Sequence, residues 1–486
     1  MSETVKKFVF DAGWVFISQI FLIITGFLLN VIIGRSLDAS AFGLFTMTFT
    51  IYTIISLFGS LGIPSAIVRF VATYKEDKEK MNVFVSCGVI NSLLVGIFIC
   101  IMVFIFSDTF AKIFNMPKLS ELIKIASFGL PFLMLNNVLI GIFNGLREMK
   151  SYAFRNIIRS ILLLVLTVLL LYIEQDVQGA VLALVLSEIF TSLLLIVKIK
   201  DINIFNFTFY NFLSTTKELI KFGSQLFLAN IIWVTNTYVD TLLVGYFLTD
   251  KDVGIYAVAV AIARVLRMLS GVVSTVTYPA ISEYHSKGVK DSIEALINEV
   301  MRYMLAFLSL IGLFVIIFAS DIILILFKKS EYLPATVPLQ ILVFGTIFFG
   351  AVGAVGSAFS GVGRPDIAWK ISLVDLTVNI TLDVILIPIL GISGAAIGTT
   401  VSLFTELILN IILFKKVLNV RVDTIIYLRV LSFLIFILII TNIMNSYIDY
   451  YILGVLAILI LISLLYLSKV FTLQDLKRIV EIIKDY

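Results

Sequence analysis

The chain has 486 residues, 60% hydrophobic and only 14% charged, with a mean hydropathy of +1.09 and a net charge of +4. A water-soluble fold cannot hide that much apolar surface, because even large domains leave much of their surface in solvent; lipid is the solvent that fits. Two cysteines, Cys87 and Cys100, and one histidine, His285, are too few for a thiolate–histidine metal centre or a Cys/His nucleophile.

Apolar runs of about 20 residues, each able to cross roughly 30 Å of hydrocarbon, follow one another along the chain. The first continues from Lys6 and Lys7 to Ile33, which suits a membrane helix better than a cleaved signal peptide. Helices are predicted over 11–33, 43–68, 83–106, 123–146, 153–173 and 178–198. A second set covers 219–247, 253–278, 302–326, 336–361, 368–389 and 393–414, and two more cover 424–446 and 449–468. The expected architecture is an all-α integral membrane protein of about 14 transmembrane helices. It divides into an N-lobe (1–200), a cytoplasmic interfacial linker (201–218), a C-lobe (219–416), two further helices (417–470) and an amphipathic tail (471–486).

With both termini cytoplasmic and the chain in the cell membrane, most of the 36 lysines and arginines fall on the cytoplasmic side. Asp176 then lies outside. An Asp176→Cys variant should react with a membrane-impermeant thiol reagent from the external side alone, and labelling from the cytoplasm would overturn the topology.

The two lobes repeat. Gly34-x-x-Leu37-x5-Gly43-Leu-Phe45 returns as Gly245-x-x-Leu248-x5-Gly254-Ile-Tyr256. Ser107-Asp108, Phe128-Gly129, Phe143-Asn-Gly145 and Gly179-Ala180 return as Ser320-Asp321, Phe344-Gly345, Phe359-Ser-Gly361 and Gly394-Ala395. Six helices per repeat preserve orientation, so the duplication is parallel, about an axis along the membrane normal. Between the lobes, Asn203, Phe205, Asn206, Phe207, Phe209 and Tyr210 give a polar–aromatic linker suited to the cytoplasmic leaflet. In the tail, Leu473, Leu476, Ile479, Val480 and Ile483 recur at helical spacing between charges, as in an interfacial helix.

Short motifs in a fixed order run through most of the chain. They include Leu61-Gly-Ile-Pro-Ser-Ala66, Gly141-Ile-Phe-Asn-Gly145, Asp240-Thr-Leu-Leu-Val-Gly245, Tyr278-Pro-Ala-Ile-Ser282, Gly361-Val-Gly-Arg364 and Gly391-Ile-Ser-Gly-Ala-Ala396. In these the chain resembles the polysaccharide-export flippases of the multidrug/oligosaccharidyl-lipid/polysaccharide exporter superfamily, and is similar to lipid II flippases. The resemblance implies a 12-helix, two-lobe core with two extra helices. It also implies movement of a polyprenyl- or dolichyl-phosphate-linked oligosaccharide from the cytoplasmic to the external leaflet. The implied partners are that lipid-linked glycan and membrane lipids, with no nucleic acid; the chain would act as a monomer near glycan-assembly enzymes.

Ionisable groups inside spans are expensive and usually face a cavity or a partner. Asp240, Asp383 and Thr399 are predicted at one level, roughly 9–10 Å below the external surface, with Asn379 one turn from Asp383 on the same face. Hard oxygen ligands of this kind suit a small cation or a proton, and they would serve equally as an interhelical hydrogen-bond cluster. The set is similar to the sodium site of lipid II flippases, which by position adds the backbone carbonyl of Ala395. Na+ is thus a candidate coupling ion, and no other cofactor is expected. Arg264 and Arg267, three apart near the middle of the eighth predicted helix, could bind a head-group phosphate or pair internally with Asp375 or Asp240. Arg147, Lys150, Arg155 and Arg159 crowd the turn between the fourth and fifth predicted helices, as a portal for anionic head groups or as positive-inside charge. Glu188 and Glu406 are acids inside spans with no evident partner.

The resemblance to lipid II flippases departs at one point. Those carry arginines on the first two helices, where this chain offers Gln19, Thr25, Asn30 and, at the cytoplasmic end, Arg69. That departure points away from lipid II as the substrate. Two other classes compete. A membrane glycosyltransferase or ligase needs a sizeable external loop with catalytic carboxylates, yet the longest such loop here holds only Asp108 and Glu121. A multidrug/toxin cation-coupled antiporter usually stops at 12 helices, and some carry an acid deep in the first, where this chain has only Asp11 near the edge.

Overall fold

The computed structural model describes residues 3–174, 176–197, 209–444, 447–472 and 475. Among these residues there is no strand. The chain forms two compact units, Met1–Val258 and Ala259–Tyr486.

The first unit holds α1 (Glu3–Ser36), α2 (Ala39–Ser60), α3 (Ile63–Thr73), α4 (Lys78–Ile113), α5 (Leu119–Ser127), α6 (Leu130–Gly145), α7 (Met149–Glu174), α8 (Val177–Ile196) and α9 (Phe209–Phe247). α10 (Asp250–Ser286) begins in this unit and continues into the second. There follow α11 (Lys290–Ile317), α12 (Ala319–Phe327), α13 (Thr336–Gly353), α14 (Ala358–Gly361), α15 (Pro365–Leu390), α16 (Ile392–Leu413), α17 (Thr424–Met444) and α18 (Tyr450–Leu467). Twelve described helical segments are long and apolar enough to cross a membrane, and fourteen when each of two bent pairs counts as one.

Among the described residues the predicted spans fall on helices, but several are broken. The span predicted over 43–68 is α2 and α3, separated at Leu61 and Gly62, with Pro64 in the first turn of α3. The span at 123–146 bends by 48° between α5 and α6. Pro131 stands in the first turn after that bend, where a missing N–H breaks no helical bond. The span at 302–326 is interrupted at Phe318, between α11 and α12. α9 starts at Phe209, so the second part of the predicted linker is helical; Thr216 there accepts a 2.8 Å hydrogen bond from Asn91 Nδ2 of α4. The rest of the linker (201–208) and most of the tail lie outside the described residues.

Local chemistry explains the starts of these helices. Asp38, Asp77, Asp176 and Asp449 each accept a backbone N–H at the head of α2, α4, α8 and α18. Such a cap satisfies donors that have no partner within the helix, typically stabilising by about 1 kcal/mol. Hydroxyls inside the spans return their protons to the preceding turn, as Thr48 to Leu44 O (2.7 Å) and Thr381 to Thr377 O (2.7 Å). A hydroxyl so occupied leaves no unmet donor facing lipid. Leu94, Ile97, Phe98, Ile101 and Ile105 line an exposed face of α4, and Leu428, Ile439, Val455 and Leu459 do so on α17 and α18. An apolar surface on that scale is a surface for lipid.

The duplication has a physical counterpart inside the first unit. A Cβ on Gly43 would overlap the carbonyl oxygen of Asp250, and a Cβ on Gly254 would overlap that of Ala39. Gly254 is the repeat equivalent of Gly43, and Asp250 that of Ala39. The starts of α2 and α10 therefore meet backbone to backbone in a symmetric crossing. Ser40 Oγ closes it by donating to Asp250 Oδ2 at 2.8 Å.

In the second unit α11 packs against α17 and α18, and Tyr450 Oη donates to Ile317 O. Midway along α11, Asp475 accepts from Tyr303 Oη (2.8 Å), Arg302 (3.1 Å) and Thr472 N (2.8 Å). Burial pushes the Asp475 carboxyl up, but the hydrogen bonds from Thr472 and Tyr303, with the Arg302 charge, outweigh it and hold it below its ordinary value.

Candidate functional sites within the two units

α15 carries Asp375, Asn379 and Asp383 at four-residue intervals, hence on one face, and all three are at most 1% exposed. That face lies against α16 at Gly398: a Cβ there would overlap Asp383 Oδ1 and come within 3.4 Å of Asn379 Oδ1. Only a residue without a side chain lets the two helices approach so closely. The neighbouring Thr399 is buried, and its Oγ1 donates to Ala395 O at 3.0 Å. The second unit thus brings Asn379 and Asp383 onto the stretch of α16 that holds Ala395 and Thr399. Asp240 belongs to the first unit, where its Oδ2 accepts from Tyr256 Oη at 3.0 Å. Among the described residues no three His, Cys, Asp or Glu side chains gather as a metal site. The donors on α15 and α16 are carboxylate, amide and hydroxyl oxygens, which suits Na+ or a proton rather than a transition metal.

Deeper along α10, Arg264 and Arg267 are half-buried. Arg267 lies over the Phe349 ring at 5.5 Å and within electrostatic reach of Glu406, which also faces Asp375. A separate cleft of about 710 Å³ in the same unit is lined by Asp321, Gln340, Phe344, Thr441 and Tyr450, and none of its lining residues belongs to these clusters.

The first unit holds an ionic cluster that pattern reading overlooked. Arg159 Nε donates to Glu188 Oε1 at 2.5 Å, and Asn136 Nδ2 donates to Glu188 Oε2 at 2.7 Å. Ser192 Oγ donates to Asn136 Oδ1 at 3.0 Å. Arg155 Nη1 donates to Asn156 Oδ1 at 3.2 Å. Because α7 begins at Met149, Arg155 and Arg159 sit about 9 and 15 Å into the helix rather than in the turn before it. Of the three arginines expected at a portal, Arg147 alone is exposed; Arg155 is buried and Arg159 is paired. The partner of Glu188 was invisible in sequence because it stands 29 positions away on another helix.

Comparison with known proteins agrees with this architecture. The family described as Polysaccharide biosynthesis protein matches residues 8–285, and the MatE family matches residues 226–385. The capsular polysaccharide biosynthesis protein CapF of Staphylococcus aureus is 24% identical over 83% of this chain and 98% of its own. The probable low-salt glycan biosynthesis flippase Agl15 of Haloferax volcanii is 27% identical over 40% of this chain and 41% of its own. The solved structure described as lipid II flippase MurJ, inward closed conformation, superposes with a TM-score of 0.75 at 17% identity, covering 95% of this chain and all of the other. The chain is a multi-pass membrane protein and belongs to the family described as Polysaccharide biosynthesis protein.

Proposed function

We propose that this protein carries a lipid-linked oligosaccharide from the cytoplasmic to the external leaflet of the cell membrane by alternating access, coupled to Na+ or H+. The observation that carries the reading is the family match over residues 8–285, joined by relatives named for glycan flipping and capsule biosynthesis. Both termini are cytoplasmic in this reading, and the protein works as a monomer. Arg147 stands at the mouth that receives the head group. Arg264 and Arg267 hold its phosphate, because guanidinium meets phosphate oxygens with two parallel hydrogen bonds. Asn379, Asp383 and Thr399, with the Ala395 carbonyl, hold the coupling cation, whose charge biases the protein toward one opening.

Arg264→Ala should abolish flipping of the native lipid-linked glycan in reconstituted vesicles while the protein still inserts. Undiminished flipping would remove Arg264 from the substrate path. Asp383→Asn keeps the shape of the side chain and removes its charge. It should flatten the dependence of flipping on Na+ and pH, and an unaltered dependence would eliminate the proposed coupling site. Export of a cationic drug is the second reading, favoured by the MatE match over residues 226–385. Deleting the gene in its host separates the two: accumulation of a lipid-linked glycan supports flipping, and drug sensitivity alone supports extrusion.

A further inference from the structure

The cluster around Glu188 has an unbalanced charge. Arg155 and Arg159 face a single carboxylate, inside a span where water cannot screen them. Glu188 is 0% exposed and Arg155 7%, whereas the Arg159 side chain keeps 19%. An entering anion would therefore meet Arg159 first. Two buried donors in the same cluster have no acceptor among the described residues: Arg155 Nε and the hydroxyl of Tyr52, itself 3% exposed. Tyr52 lies within electrostatic reach of Glu188, Arg159 and Arg155. Buried donors without acceptors, beside a surplus positive charge, describe a place for anionic oxygens.

Resting on the reading of a phosphorylated lipid substrate, we propose that Glu188 is an internal surrogate for the substrate's phosphate. In the unloaded protein it occupies Arg159. When a diphosphate head group arrives, its oxygens take over Arg159 and Arg155, and Glu188 Oε1 takes up a proton supplied by the buffered solvent, becoming a neutral acid that keeps its Asn136 hydrogen bond. Two arginines against the two negative charges of a diphosphate diester are then balanced, where an ionised Glu188 would add a third negative group. Loading is thereby tied to uptake of one proton in the first unit, apart from any ion held on α15. The titratable groups facing this exchange are Arg155 and Arg159 on α7, Tyr52 on α2 and Tyr238 on α9, with Tyr152 beside Arg155.

The test is calorimetric titration of the full-length protein in lipid nanodiscs with farnesyl diphosphoglucose, a diphosphate diester, in buffers of different ionisation enthalpy near neutral pH. Binding to wild type should take up about one proton more than binding to Glu188→Gln, which should bind at least as tightly. The double variant Arg159→Gln/Glu188→Gln removes both charges together, protecting the fold if the single variant fails. It should bind at least about tenfold more weakly, with the same lack of uptake. Equal proton uptake by wild type and Glu188→Gln, or by wild type and the double variant, would overturn the surrogate role while leaving the phosphate reading standing. Absence of binding by wild type would overturn both.

Discussion

Glu188→Ala is expected to remove about 3–5 kcal/mol of folded stability, the usual effect of deleting one partner of a buried ion pair. Alanine takes away the acceptor of Arg159 and of Asn136 at a position with no exposure, leaving two guanidinium groups without a counter-charge inside the first unit. Thermal unfolding of the purified protein in detergent measures the loss. A second comparison isolates the charge. Arg159→Gln/Glu188→Gln should lose less than Glu188→Ala, because it leaves one guanidinium, Arg155, without a counter-charge instead of two. A Glu188→Ala variant within 1 kcal/mol of wild type would show that the pair does not hold this unit together.

Gly254→Leu is expected to be at least as damaging, for a steric reason. Overpacked side chains usually cost about 1–3 kcal/mol, and neighbouring rotamers absorb part of the insult. Here the obstruction is the carbonyl of Ala39, a backbone atom with no rotamer to change. The effect should therefore reach or exceed about 3 kcal/mol, the upper end of that range, and flipping should be lost. Gly43→Leu should behave the same way against Asp250. Gly271→Ala, in the same helix as Gly254 and with nothing within 4 Å of its new methyl, should be neutral or stabilising by up to about 1 kcal/mol. Similar stability and transport in the Gly254 and Gly271 variants would refute the symmetric crossing.

These two cases mark where sequence was informative and where it fell silent. The helices were legible because lipid demands long apolar runs, and hydropathy reports composition directly. The break at Leu61 and Gly62 was not, because the apolar run continues across it; Pro64 alone hinted at a new start. Asn379 and Asp383 could be placed on one helical face because their relation is local, four residues apart. Arg159 and Glu188 could not be paired, since helix order does not say which faces meet. The repeat of Gly43 as Gly254 was plain, but nothing in either motif says that each glycine rests on the start of the other repeat.

The boundary of the first compact unit at Val258 bears on how the protein is made. The sixth predicted helix closes the first repeat by residue 200, yet α9 packs against α2, α3 and α4, and the head of α10 against Ala39 and Gly43. During synthesis the first eight helices would wait in the bilayer with faces uncovered until residues 209–258 had been inserted. Separate expression of the two repeats would strand the same surfaces.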